Sequence, residues 1–528
     1  MRGVAGVTTA ALVAGLASVV HAPLAVAAAP SSAPTQQAGP DEAADLSSAR
    51  VTARLRNRRI EAVSERTEAS ATWVNPDGSR TTELNVGPVR VRRGDAWVPV
   101  DLTLVKAADG TVRPKAHPRD LVLAGPGGSG STTRDLAAVS TTEGQVGLQW
   151  TGSLPDPVLS GDTATYRDVQ PGIDLQVKAT RTGFEQFLVL KRKPAKGTKF
   201  TLPVRAAGLT TRTDADGNTD LIGKNGAVVG SVPAAEMWDS RTDRASGGPA
   251  RKVKVAQRTQ TKNKGNNAPA GTPGDQVDVT LEPETSFLDD SATQYPVIVD
   301  PGVTVWTNFD TFTQSGTTTD QSGSPELRIG TWNGGANVAR SYLHFDMSAF
   351  RGTRILGSTL WLYATHSYSC NARWWEVWST PLVGTGTRWS NQPAPWNVWS
   401  SNVTTSGYSG GCPANWVSTD IRTLQQAWAD QGFTNAGMML KALNESDSYG
   451  WKKFSSAEGG AVPHIDVTYN TPPNPTTGLN VSDRGDSGGV TYTRSTTPLL
   501  TFRPSDPDGE AVRAFVYVYE GETMITHA

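Results

Sequence analysis

Residues 340–378 read RSYLHFDMSAFRGTRILGSTLWLYATHSYSCNARWWEVW. Three short runs within it, Ser341 to Phe345, Ser358 to Tyr363 and Arg373 to Trp378, are rich in aromatic and aliphatic residues and are separated by Gly, Ser and Asn. Such residues between turn formers are the composition of strands, and no helix of useful length fits between them. In the second run, alternation places Leu360, Leu362 and Ala364 on one face and Trp361 and Tyr363 on the other; in the third, Trp375 and Val377 oppose Trp374, Glu376 and Trp378. Because side chains alternate across a strand, one face is aliphatic and the other aromatic with a carboxylate. The aliphatic face predicts a sandwich core. The aromatic face predicts either a second packed layer or a platform on which flat ligands stack.

The order Arg340-Ser-Tyr-Leu-His-Phe-Asp346, Leu360-Trp-Leu-Tyr363, Thr387-Arg-Trp-Ser-Asn-Gln-Pro393, Phe454-Ser-Ser456 and Pro463-His-Ile-Asp-Val-Thr-Tyr-Asn470 resembles the DNRLRE-type domain. That family consists of extracellular β-sandwich modules grouped with the carbohydrate-binding modules, although its naming hexapeptide does not occur here. The resemblance covers about Val303 to Asn470 and implies a non-catalytic module without specifying a ligand.

This region, 302–470, holds tryptophans 306, 332, 361, 374, 375, 378, 389, 396, 399, 416, 428 and 451, most of the chain's 16. That is more than a small sandwich core accommodates, although large aromatics are usually well buried. Some of these rings are therefore expected at the surface. A sugar ring offers an apolar C–H face to an aromatic ring and hydroxyls to neighbouring polar groups. Trp374 and Trp378, two apart with Glu376 between them, are the first candidates for glycan binding, with Trp361 and Tyr363 beside them. Packing against a neighbouring domain is the competing explanation for the same face.

The chain's 528 residues suggest about three domains. Hydrophobic residues make up 37% while Gly (53) and Pro (34) are plentiful, which is the composition of short strands joined by many turns. The fold class expected is all-β, tandem jelly-roll-like sandwiches with one short helix over Thr419 to Gln431, capped by Ser418 or Thr419 and stopped by Gly432. A net charge of -1 gives the whole chain no polyelectrolyte character, so nucleic acid is not a favoured partner.

Residues 1–27 have the form of a secretory signal peptide, with Arg2 before an apolar core and the small-residue exit Ala25-Val-Ala27 or Ala27-Ala-Ala29, of which the first is favoured because Pro30 disfavours a cut just before it. The chain is expected to be secreted, with the cell wall as a candidate location and no membrane span after cleavage. Cys370 and Cys412 are the only cysteines, and in an exported protein they are expected to form one disulfide. Residues 28–68 read as a disordered or basic leader, with Arg at 50, 54, 56, 58, 59 and 66 in a segment either helical or extended.

Residues 69–301 read as a β-rich amino-terminal region, with a run of hairpins from Ala69 to about Ser240 turned at Pro76-Asp-Gly-Ser79, Arg93-Gly-Asp95 and Asp109-Gly110. Within it, 241–275 carries eight Lys or Arg at 241, 244, 251, 252, 254, 258, 262 and 264 and reads as a disordered surface loop. Asn75-Pro-Asp-Gly78, Trp97-Val-Pro-Val-Asp101 and Tyr166-Arg-Asp-Val-Gln-Pro-Gly-Ile-Asp-Leu175 resemble the amino-terminal region of large exported actinobacterial proteins. Some of those carry RHS or YD repeats, like wall-associated proteins, and end in a toxin. Residues 471–477 form a linker, and 478–528 read as an incomplete sandwich module, so a downstream catalytic or toxin domain would be missing from this chain.

Gly485-Asp-Ser-Gly-Gly489 matches a serine-nucleophile pentapeptide, but the expected strand before Ser487 and helix after it are absent, and the motif reads as a turn. The histidines show no H-E-x-x-H and no i, i+4 pair, and the acidic turns lack an EF-hand's glycine and closing Glu. No catalytic residue, metal site or cofactor is expected; the oligomeric state is left open. The leading expectation is a secreted non-catalytic protein binding polysaccharide or cell-wall glycan. Its alternatives are a stalk or delivery region of a wall-associated RHS-type toxin, and a polysaccharide-degrading enzyme, whose carboxylate pair is a tertiary quantity that sequence does not reveal.

Overall fold

A computed structural model describes residues 41–527, except 142–143, 215–216, 225, 227, 243–248, 264–265, 268–273, 301–302, 306–308 and 318–319. The expected signal peptide and the first part of the leader lie outside the described residues. The fold is all-β and sandwich-like, with three short α-helices among the described residues. None of these helices is long and apolar enough to cross a membrane.

Residues 101–305 form a double-sheet domain organised by one long strand, Phe200–Thr213. Its first half pairs with Gly144–Thr151 and Gly274–Glu282, while its second half pairs with Thr219–Ile222. The strand thereby belongs to two sheets, and the network of strands closes on itself. Leu148, Val204, Val277 and Val279 face Leu175, Val177, Phe184 and Leu188 in one buried core.

The basic stretch 241–275 departs from expectation. Where it is described it supplies strands Lys252–Lys254 and Ala256–Asn263, the second paired with Gly274–Glu282 from Ala256↔Glu282 to Lys262↔Gln276. Composition alone did not show that cations described in this stretch have carboxylate partners. Lys252 meets Glu236 at 2.6 Å, Arg251 meets Asp290 at 2.6 Å, and Lys262 meets Asp278. Val255 and Thr261 are buried between the charged positions.

The aromatic region folds as a sandwich of two sheets, and its first sheet extends beyond it. That sheet runs Glu42–Ala43, Ile60–Ala62, Ser70–Val74, Arg80–Asn85, His464–Asn470, Arg354–Ser367, Lys452–Ser455, Glu326–Ile329, with Asn415–Asp420 also on Arg354–Ser367. Strands from either side of the expected division at residue 301 therefore share one sheet, joined where Arg80–Asn85 pairs with His464–Asn470. The hairpin supplying the join turns at Pro76-Asp-Gly-Ser79. There Gly78 takes a φ of 98°, and Asp77 Oδ1 accepts the backbone N–H of Ser79 at 3.0 Å. The leader contributes helix Leu46–Arg56, N-capped by Asp45, which seats Ala49 and Ala53 on Ile60, Ala62 and Val74.

The second sheet runs Asp310–Gln314, Ala339–Asp346, Asn435–Ala442, Arg373–Thr380, Val398–Thr404. Leu360, Leu362, Ile465 and Val467 of the first sheet meet Leu343, Phe345, Trp375, Val377 and Leu440 of the second. The expected helix is present over Arg422–Asp430, shorter at its start because Asn415–Asp420 stays paired as strand through Thr359↔Asp420. Ile421, Leu424 and Trp428 are buried, and Gly432 turns the chain away with a φ of 69°. The disulfide Cys370–Cys412 is formed.

Beyond residue 476 the described chain makes hairpins. Ser487 sits in one of them, opposite Val490, with Gly488 and Gly489 between them at positive φ. This is a two-residue glycine turn rather than a strand-to-helix elbow.

Candidate functional site

The alternation read in 358–378 holds. Leu360, Leu362, Ala364, Trp375 and Val377 are buried, while Trp361, Tyr363, Trp374, Glu376 and Trp378 all face outward. They do not form one platform. Arg354–Ser367 lies in the first sheet and Arg373–Thr380 in the second, so outward means opposite sides of the sandwich for the two groups.

On the outer face of the second sheet, Trp374 is 52% exposed. Trp378 donates its Nε1–H to Glu376 Oε2 at 2.9 Å, and Lys441 lies over the Trp378 ring at 5.6 Å. The loop containing 387–393 covers this face over Arg340 and Tyr342, while Val398, Ser401 and Val403, across from Trp378, Glu376 and Trp374, stay exposed. Gln392 Oε1 accepts the Tyr342 hydroxyl at 2.7 Å, and the Arg340 guanidinium lies under Trp389 at 4.8 Å while holding Glu445 with two hydrogen bonds. The Arg340–Asp346 and Thr387–Pro393 phrases are thus two halves of one packed layer.

The outer face of the first sheet gathers more aromatic surface. Trp361 lies directly across from His464, which lies across from Asn85; one row on, Thr359, Asp466 and Glu83 stand in line. Trp361 and His464 stack with ring centroids 6.2 Å apart, Trp416 meets His464 edge-on at 5.1 Å, and Tyr363 meets Trp416 at 5.4 Å. Trp361 Nε1–H donates to Asp466 Oδ2 at 3.0 Å, fixing both groups. Trp73 continues the face, with Arg59 stacked over it at 5.0 Å. Burial, and secondarily the neighbouring Glu83 carboxylate, pushes the Asp466 carboxyl above its usual range, against the opposing pull of His464.

This face spans five strands, about 19 Å between its outer strand axes at the usual spacing. Flat rings with carboxylates and an imidazole among them can stack on pyranose faces and hydrogen-bond their hydroxyls. Trp416, His464 and Asp466 were not among the residues singled out from the sequence, although a period-two reading of 415–420 and 464–470 would have put them on outward faces. Trp73 and Glu83 were not legible as part of this face, because nothing local ties residues 70–85 to this sheet.

Residues 302–469 match carbohydrate-binding module family 96, and this part of the chain is a carbohydrate-binding-module-like domain. Over 340 residues the chain is 27% identical to the tRNA3(Ser)-specific nuclease WapA of Bacillus spizizenii and to the tRNA nuclease WapA of Bacillus subtilis. The match takes in 61% of this chain and 14% of each relative, so the chain spans about one-seventh of their length. Among solved structures, an exo-β-1,3-galactanase from Phanerochaete chrysosporium aligns over 73% of this chain and 99% of its own at 8% identity, with a TM-score of 0.14.

Proposed function

We propose that this chain is an exported, non-catalytic polysaccharide-binding protein that takes its glycan on the outer face of the nine-stranded sheet. The observation that carries this reading is the continuous run Tyr363, Trp416, His464 and Trp361, held in place by the hydrogen bond to Asp466. Fixed rings lose little freedom on binding, so a stacked sugar gains most of the contact energy. The likeness of residues 302–469 to a carbohydrate-binding module supports the same ligand class. Cell-wall polysaccharide, the DNRLRE type of module and a wall location belong to this proposal.

The test is retention of the full chain on immobilised polysaccharides and a glycan array. Trp361→Ala and Trp416→Ala should abolish retention, whereas Trp374→Ala should leave it largely intact. Loss with Trp374→Ala or Trp378→Ala alone would transfer the site to the other face of the sandwich, and no retention on any polysaccharide would remove the reading.

A second reading rests on the similarity to WapA nucleases. In it the chain is the amino-terminal delivery region of a wall-associated, RHS-type toxin, and the described residues act as carrier rather than effector. Wall fractionation of the producing cells separates the two, since a carrier that binds no glycan stays with the wall only through other parts of its protein.

A further inference from the structure

We propose that Glu83, His464 and Asp466 form a divalent transition-metal site, with Zn²⁺ as its first candidate, at the seam between the 70–85 hairpin and the module. One candidate ligand atom from each residue lies within 4.8 Å of the other two. Zinc bonds of about 2.0–2.2 Å set tetrahedral ligand atoms about 3.4 Å apart, so small side-chain rotations close the set. The backbone fixes the geometry. Glu83 and Asp466 are direct cross-strand partners, and His464 stands two residues before Asp466 on the same face.

Among the described residues, no ion pair or hydrogen bond joins the three groups to one another, and no Lys or Arg forms an ion pair with either carboxylate. Like charges directly opposite on a sheet destabilise it, and a cation between these two would remove that cost. Each ligand also has an orienting partner, as metal ligands usually do. Trp361 Nε1–H donates to Asp466 Oδ2 at 3.0 Å, Asn85 Nδ2–H donates to Glu83 Oε1 at 3.1 Å, and His464 Nδ1 lies 3.4 Å from the Val462 carbonyl oxygen.

One imidazole with two carboxylates favours zinc and its transition-metal neighbours over calcium or magnesium, which prefer all-oxygen cages. Three protein ligands leave a fourth position open to water or to a ligand hydroxyl. The ion would also tie a strand from residues 80–85 to one from 464–470, and so fasten the hairpin to the module. This site does not depend on the glycan reading, and the metal alone tests it.

The experiment is calorimetric titration of tag-free full chain, freed of metal, with ZnCl₂, alongside its thermal melt with and without Zn²⁺. The expected result is one equivalent bound and a raised Tm. Affinity should fall at least about tenfold in both Glu83→Gln and His464→Gln. Glu83→Gln preserves shape and keeps the assay meaningful if His464→Gln folds poorly; far-UV circular dichroism checks both. Absence of Zn²⁺ binding would overturn the proposal, as would binding that survives both substitutions, or a response to Ca²⁺ alone.

Discussion

Glu458 and Thr182 join the sandwich to the double-sheet domain: Glu458 Oε1 accepts the Thr182 hydroxyl at 3.0 Å, while Oε2 accepts the Arg181 backbone N–H at 2.8 Å. Both donors belong to the turn leading into strand Gly183–Leu190. Removing the acceptor strands these donors in the interface. Glu458→Ala should lower stability by about 1–3 kcal/mol, and Glu458→Gln, which retains a carbonyl oxygen, should lower it less. Calorimetry of the full chain should show the onset of melting at a lower temperature in the alanine variant than in the parent.

Asp310 is buried and accepts the Ala457 N–H at 2.7 Å; burial pushes its carboxyl up to about 8. The unfolded value is about 3.9. The folded state therefore holds the extra proton between those limits. The stabilisation from this group is fully present below about pH 4 and is lost as pH rises through about 8. Buried His344, pushed down to about 4, acts oppositely between there and about 6.5. Between pH 6.5 and 8, melting temperature should fall faster for the parent chain than for Asp310→Asn. Equal slopes would show that Asp310 is ionised in the fold.

Reduction of Cys370–Cys412 opens a loop with a sequence separation of 42. Chain entropy assigns such a closure about 4 kcal/mol. The urea midpoint followed by tryptophan fluorescence should drop in the presence of reductant, and a Cys370→Ser/Cys412→Ser double variant should match the reduced protein. A midpoint insensitive to both treatments would mean that the bond constrains an already ordered loop.

Limited trypsin treatment should not open the chain first at Arg258 or Lys262. Their strand is paired along Gly274–Glu282, and Arg251 just before it lies on Phe287 at 4.4 Å. Cleavage needs a locally opened backbone. Early fragments ending at either residue would contradict this pairing.

The sequence carried the strand alternation well. Leu360/Trp361 and Trp375/Glu376 point as read, because the period of two is a property of the backbone. It did not carry the sheet to which each strand belongs. That assignment decides whether Trp361 and Trp374 share a surface, and it is made by long-range pairing. The same holds for Glu83, which meets Asp466 only through a register set across the whole chain. The paired cations of 251–262 were missed for a related reason: charge counted along the sequence ignores carboxylates brought in from residues such as Asp290 and Asp278.

The pairing of Arg80–Asn85 with His464–Asn470 also bears on how the chain acquires its fold. Hairpin 70–85 emerges from the ribosome early but has no module strand to join until about 380 further residues have been made. Contacts this distant in sequence are slow to form. The double-sheet domain, whose strands all lie between residues 101 and 305, can complete itself during that wait. Synthesis thus sets an order in which the middle of the polypeptide matures first, and its two flanks meet last to close the sheet.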